Sequence, residues 1–450
     1  MRSAADAAIT TQTLRHRVAT VLLLCAIGVA LTLVVFHPGI MTFDAAYVYA
    51  DVAKHFRGDW QSPVMTSLWQ LIDPLAPGSA SMFLFMVSLY WFAVLLIGLT
   101  LARNSWLAVA VPILAVTPPA FCLIGVIWRD VLFAVVWLFA AALVFAARAG
   151  GKWILRAAQV AALGLLAFGV LLRPNAVPAA PLLAAYVFWP AGWTLKRSAI
   201  LYPFAFAAFV ALVPLVYYGA LDAKRQHPLH SLFVFDLGGI TYFTGENQFP
   251  ATWTPEQTAL LTDRCYPTDK WDTYWFLEPC RFVMARLEGE KIFGSDAMLE
   301  AWSKSVSRYP LAYLEHRATF MWRFLTGDNL VMWTEDIQDR GKRVLPDRAA
   351  FTALVALQEA LTPFWLFKPA VWLLLSLLLC ALAWRRHATA SGAFVLGVSG
   401  SAAVYVASYF AVGVASDYRY AYWAAVAVLC SAPVLVAPET ANTSNVSDRA

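Results

Sequence analysis

Ionisable side chains are scarce in this chain, so the few at the ends of apolar runs carry most of its chemical information. Four clusters stand out. Thr42-Phe43-Asp44 follows the first apolar run, and Asp51, Lys54, His55, Arg57, Asp59, Trp60 and Gln61 come soon after. Asp44 falls where a carboxylate meets both bilayer and water, and there it can accept a proton from an alcohol nucleophile. Asp51, seven residues later, shares its face if the segment is helical. Two carboxylates so placed can bind a cation or split their pKa values. A solvated loop acid would look the same in sequence.

The second cluster, Trp128-Arg129-Asp130, joins two apolar runs with almost no loop. It reads as a local ion pair with Asp130 at a helix N-terminus, or as a substrate-binding pair. The third, Arg173-Pro174-Asn175, is a tight turn whose guanidinium can grip a phosphate bidentately or snorkel to the interface. In the fourth, Ser416-Asp417-Tyr418-Arg419-Tyr420, Arg419 either pairs with Asp417 or makes a second phosphate contact. An accessible carboxylate with two such arginines suits an anionic lipid headgroup at a membrane surface.

The elements that must hold these groups are membrane helices. Of 450 residues, 60% are hydrophobic and 14% charged, against about 45–50% and about 25% in soluble proteins. With a mean hydropathy of +0.62, a soluble domain, a disordered chain and a nucleic-acid binder are excluded. The net charge of +5 sits in short clusters between apolar runs. A spanning helix needs about 20 apolar residues, and about ten runs qualify: 18–36, 79–101, 105–125, 131–147, 157–172, 176–193, 198–220, 363–384, 390–413 and 421–437. The fifth and sixth read as a helical hairpin. The first has no small-residue cleavage site after it and reads as an uncleaved helix.

Lys and Arg placement sets the orientation. With the N-terminus inside, the inner connections hold Arg2, Arg15 and Arg17; Arg103; Arg148, Lys152 and Arg156; Lys196 and Arg197; Arg385 and Arg386; and Arg449. All four clusters then lie outside, and Arg173 and Arg419 depart from the rule. The expected architecture is an all-α polytopic membrane protein of about ten helices. It has a cytoplasmic segment 1–17, a membrane core 18–220 with a first outer loop 37–78, and an extracytoplasmic domain 221–362 between helices seven and eight. The membrane helices 363–437 and a disordered cytoplasmic tail 438–450 complete the chain. Within the domain, 295–325 reads as an amphipathic helix, either packed on the domain or lying in the membrane interface.

Cys25, Cys122, Cys380 and Cys430 lie inside apolar runs, as small packing residues. Cys265 and Cys280 lie in the outer segment, where an oxidising compartment permits a disulfide. No Cys-x-x-Cys or His-rich metal spacing occurs.

Together, an acid past the first helix, a short Arg-Asp turn, an Arg-Pro-Asn turn and Tyr-Arg-Tyr before the last helix resemble the GT-C glycosyltransferases. The resemblance covers roughly 15–220 and 363–437; the segment 221–362, with Asp236-Leu237-Gly238-Gly239-Ile240, looks like a separate bacterial branch. It implies a hexosyl or pentosyl transfer from a polyprenyl-phosphate sugar donor to a hydroxyl of a glycan, lipid or protein acceptor. Asp44 would be the catalytic base. Arg173, Arg419 and Arg129 would bind the lipid phosphate, with Asp130 and Asp51 as second acids. Tyr418, Tyr420, Asn175, Trp60 and Gln61 would line the substrate. Relatives carry an Asp-Trp-His-Pro-Pro-like stretch; here it is Asp59-Trp60-Gln61-Ser62-Pro63, with glutamine in place of histidine. The resemblance implies no certain cofactor; some members use a divalent cation and many do not. Trp253, Trp271, Trp275 and Trp302 either stack on sugars or pack within their domain.

The implied location is a bacterial inner membrane, with both termini cytoplasmic and the site extracytoplasmic. The rival enzyme is an O-antigen ligase or polymerase, whose key arginines and histidine lie in the large loop. A lipid or solute transporter is the non-enzyme rival, but it would carry charges mid-membrane.

Overall fold

A computed structural model describes residues 4–188, 195–338, 342–344 and 348–438. Apart from an antiparallel pair of three-residue strands, Asp336–Gln338 and Lys342–Val344, the described elements are helices. Among the described residues, seven helices are long and apolar enough to cross a membrane: Thr11–Phe36, Ser79–Ala102, Arg129–Ala147, Lys152–Leu172, Ala199–Ala220, Ala390–Val412 and Tyr418–Val436. Helices suit this role because each satisfies its own backbone hydrogen bonds where water cannot.

Two bent pairs bring the count among the described residues to as many as nine. Trp106–Ala115 and Pro118–Ile124 meet at 52°. Pro118 and Pro119 supply no backbone N–H and push the preceding residue out of the helical region. Ala349–Phe364 and Pro369–Trp384 meet at 71°, where Trp365 takes a left-handed conformation at φ 65°. The sixth run, 176–193, appears as a 3-10 turn Pro174–Ala176 and an eight-residue helix Ala180–Val187; residues 189–194 lie outside the described set. The expected tail lies almost wholly outside the described residues, as do Arg2 and Arg449.

Arg129–Ala147 is the central helix, with 83% of its apolar window buried. Ser79–Ala102, Lys152–Leu172 and Tyr418–Val436 pack around it. At Gly169 a side chain would place its Cβ 2.1 Å from the Trp137 indole nitrogen, so glycine sets how closely two of these helices approach. Ala199–Ala220 stands at the edge, with none of its window buried. The expected single helix over 295–325 is two helices, Asp296–Arg308 and Pro310–Thr326; Pro310 starts the second because it cannot continue the first.

Candidate functional site at one end of the helix bundle

Short local devices gather the site. Just past the first span, the Ile40 N–H donates to the Gly125 carbonyl at 2.9 Å, and the Ile127 N–H donates to the Ile40 carbonyl at 2.9 Å. This bridge ties the chain before Asp44 to the chain before Trp128-Arg129-Asp130. Thr42 then caps the helix Phe43–Ala53 by accepting from the Ala45 N–H. Asp44 thus sits in a first helical turn, where the helix dipole favours a carboxylate. Arg419 arrives on the 3-10 turn Tyr418–Ala421, which opens the last span. Arg173 ends the helix Lys152–Leu172.

Two ion-pair clusters meet here. In the first, Arg419 donates through Nη1 to Asp44 Oδ2 at 2.6 Å and lies 3.1 Å from Asp417 through Nε. Its guanidinium carbon stands 4.7 Å from the Trp128 ring centre and 5.0 Å from that of Tyr420. Gln61 donates to Asp44 Oδ1 at 3.4 Å. The Asp44 side chain keeps 39% exposure, so it is reachable. Burial works to raise its pKa, but Arg419, Arg129 and Arg173 act against this and hold the carboxyl below its ordinary value. Burial pushes the Asp417 carboxyl up against the pull of Arg419, and the charges of Asp44, Asp130 and Asp272 add to the rise. Neighbouring carboxylates held at different basicities are a recurring feature of acid–base sites.

The second cluster is closed. Arg173 Nε lies 2.9 Å from Asp130 Oδ1, and Arg173 also donates to the Tyr409 hydroxyl; Arg173 and Asp130 are only 5% and 3% exposed. Asp130 therefore pairs across helices with Arg173, not locally with Arg129 and not as a helix cap. Arg173 is enclosed by protein, which corrects the reading of an interface arginine at an open turn. Arg129 donates to the Trp60 carbonyl at 3.4 Å. Tyr420 sits between the clusters, its ring centre 5.1 Å from the Arg173 guanidinium carbon.

Other expected site residues fall elsewhere. Tyr418 is fully buried and donates to the Pro119 carbonyl, so it packs and does not line a substrate space. Asn175 is half-buried in the turn after Arg173. Asp51 is buried; burial raises its pKa, and the charge opposing this is Lys54, not an arginine of the site. Asp59 accepts from the Tyr218 hydroxyl at 2.7 Å and from the Gln226 N–H, which makes it a fastener of the loop. Trp60 lies against Trp271 at 5.8 Å and Trp275 at 5.5 Å between ring centres, beside the backbone that Arg129 grips. Cys265 and Cys280 are joined in a disulfide.

Three groups escaped the sequence reading. Asp272 is held over the site because the Trp271 N–H donates to the Val414 carbonyl and Lys270 pairs with Ala415. Burial raises its pKa, with Lys270 opposing, and Arg419 acts on it too. Tyr409 lies in the last turn of the helix Ala390–Val412, with no charge nearby in sequence to mark it. The third is a fully buried set, Asp236, His316 and Arg317, whose only sequence signal was the unexplained Asp236-Leu237-Gly238-Gly239 stretch. Burial holds the His316 pKa below its ordinary value, although Asp236 pulls the other way.

A depressed histidine pKa gives stability that is complete above the unfolded value, about 6.5, and is lost as pH falls below it. The protein should therefore melt at a lower temperature at about pH 5 than at about pH 7.5. His316→Gln should shrink that difference. An undiminished difference in the variant would assign it to other groups.

Among the described residues, no group of three His, Cys, Asp or Glu side chains could hold a metal ion, and Asp44, Asp130 and Asp417 each face an arginine within ion-pair distance. Fold and site together define a helical multi-pass membrane protein with a cluster of charged side chains, partly exposed at Asp44, at one end of its bundle. No protein-family model, curated protein or solved structure matches the chain.

Proposed function

We propose that the chain is a GT-C-type glycosyltransferase, moving a sugar from a polyprenyl-phosphate monosaccharide to an acceptor hydroxyl at the extracytoplasmic face of a bacterial inner membrane. The observation that carries this reading is Asp44, over one-third exposed, joined to Arg419 beside two further arginines.

The donor phosphate competes with Asp44 for Arg419. Once the phosphate takes the guanidinium, the Asp44 carboxylate is released from its strongest partner and gains basicity. The acceptor oxygen then attacks the anomeric carbon, its proton passes to Asp44, and the carbon–oxygen bond to phosphate breaks. Polyprenyl phosphate leaves with the electron pair, and the anomeric configuration inverts. Arg419 and Arg129 stabilise the charge that develops on the leaving phosphate. Arg173 acts from behind, stacking on Tyr420 and neutralising Asp130. Trp60 and Trp275, both half-buried, offer apolar ring faces to the sugar, with Trp271 packed behind them.

The acid limb of the pH–rate profile carries a distinct expectation. In the free enzyme the Asp44 pKa lies below the ordinary carboxylate value, so kcat/KM should fall only at low pH. In the donor complex the phosphate charge and the loss of Arg419 raise it, so the limb of kcat should lie at higher pH. Coincident limbs would remove the competition for Arg419.

The reading itself is tested by reconstituting the protein in vesicles with a polyprenyl-phosphate sugar and a hydroxyl acceptor. Sugar transfer supports it. Movement of lipid or solute without transfer would make the protein a transporter.

A further inference from the structure

The buried Asp236–His316 pair does not end in the protein interior. From Asp236, inside the helix His230–Thr244, the contacts lead through His316 to Tyr266, and Tyr266 lines a cavity of about 450 Å³. That volume lies in the range of small-molecule sites, about 300–1,000 Å³. The cavity is built from the helix His230–Thr244, the segment around the Cys265–Cys280 disulfide and the helix Pro310–Thr326. None of its lining residues belongs to the Asp44 site.

A chain of polar contacts holds the cavity wall from behind. Asp236 accepts from the Trp302 indole N–H at 2.7 Å and is paired with Arg317. Arg317 is itself anchored on the Gly413 carbonyl at 2.6 Å. The His316 Nε2 lies 3.3 Å from Asp236 Oδ1, which turns that edge of the imidazole toward the carboxylate. On its other edge Nδ1 stands 3.0 Å from the Tyr266 hydroxyl, so the ring is held between the two and fixes where that hydroxyl sits. Whichever ring nitrogen carries the hydrogen, the Tyr266 oxygen keeps a lone pair for a ligand donor. Gly239 makes this arrangement feasible, because a Cβ there would stand 2.2 Å from the His316 ring.

The cavity wall adds an aromatic platform and polar ends. Tyr242 stacks on Tyr266 with ring centres 4.6 Å apart and planes 25° off parallel, and Tyr242 is 44% exposed. The Thr319 hydroxyl donates to the Glu315 carbonyl at 2.8 Å, which leaves a second hydroxyl oxygen as an acceptor. Asp263 and Arg264, both exposed, stand at the rim. An open ring face, two hydroxyl acceptors, a carboxylate and a guanidinium match a ligand with an apolar face edged by hydroxyl donors.

We infer that this cavity is a saccharide-binding site, separate from the Asp44 site, in which Tyr242 stacks on the sugar ring and Tyr266, oriented by His316 and Asp236, accepts a sugar hydroxyl. The inference stands on the cavity's own chemistry and does not depend on the proposed transfer reaction.

Full-length protein in nanodiscs can be titrated with glucose, galactose, mannose, N-acetylglucosamine and arabinose by saturation-transfer-difference NMR. At least one sugar should bind saturably. Tyr242→Ala, which removes an exposed ring, should weaken it roughly tenfold. Tyr266→Phe keeps the ring and loses the acceptor, so it should weaken binding several-fold, while Asp44→Asn should leave it unchanged. The inference is overturned if no sugar saturates, or if both tyrosine variants bind like the wild type. Loss of binding in Asp44→Asn alone would place the sugar at the other site and would equally overturn it. Because the assay reads binding without turnover, a failed transfer reaction leaves its outcome intact.

Discussion

Asp44→Asn should lower sugar transfer by about 10²–10⁴-fold, the usual contribution of a general base, while the protein still inserts and purifies. Asparagine keeps the size of the side chain and can still hydrogen-bond Gln61. Arg419 retains Asp417 at 3.1 Å, so no guanidinium is stranded, and over one-third of the Asp44 side chain is already exposed. The measurement is complementation of a deletion strain with matched expression, scored by the sugar on the acceptor. Wild-type sugar content would exclude Asp44 as the base. Asp51→Asn is the suitable control, since Asp51 shares the helix but not the arginines. Asp59→Asn is not, because Asp59 fastens the loop to Tyr218 and Gln226. If Asp130→Asn alone abolished transfer, the chemistry would belong to the second cluster.

The second large effect falls on stability. Arg173→Ala would leave Asp130 charged, 3% exposed and without its partner, and breaking a buried pair from one side costs about 3–5 kcal/mol. The Tyr409 hydroxyl also loses its donor. The variant should melt several degrees below the wild type in detergent, or fail to accumulate. Replacing both partners by apolar side chains, Arg173→Met with Asp130→Leu, should recover most of that loss, since a buried pair and a packed apolar pair are of similar stability. The double variant then separates fold from function: weak donor use in a normally melting protein would give Arg173 a role in the site as well. A wild-type melting temperature for Arg173→Ala would contradict the closed pair.

Composition and hydropathy determined the class of protein and most of its spans, because the demand for about 20 apolar residues per crossing is local and leaves its mark residue by residue. For the same reason the charges at helix ends were legible as candidates. Asp44, Arg129, Asp130, Arg173 and Arg419 stand out against their apolar neighbours, and all five meet at one end of the bundle. Which of them pair was not legible. Asp44 and Arg419 are 375 residues apart, and a charge at a helix end carries no sign of which distant helix will face it. The local reading of Arg129 with Asp130 was reasonable by spacing, yet helix packing turned Asp130 to Arg173. Run length did not reveal the bend at 105–125, since apolar content does not distinguish one straight span from a proline-broken pair. Asp272 and the Asp236–His316–Tyr266 chain lay furthest from view. Their neighbours come from three or more separate segments, so only the tertiary packing that strips them of water decides what each group can do.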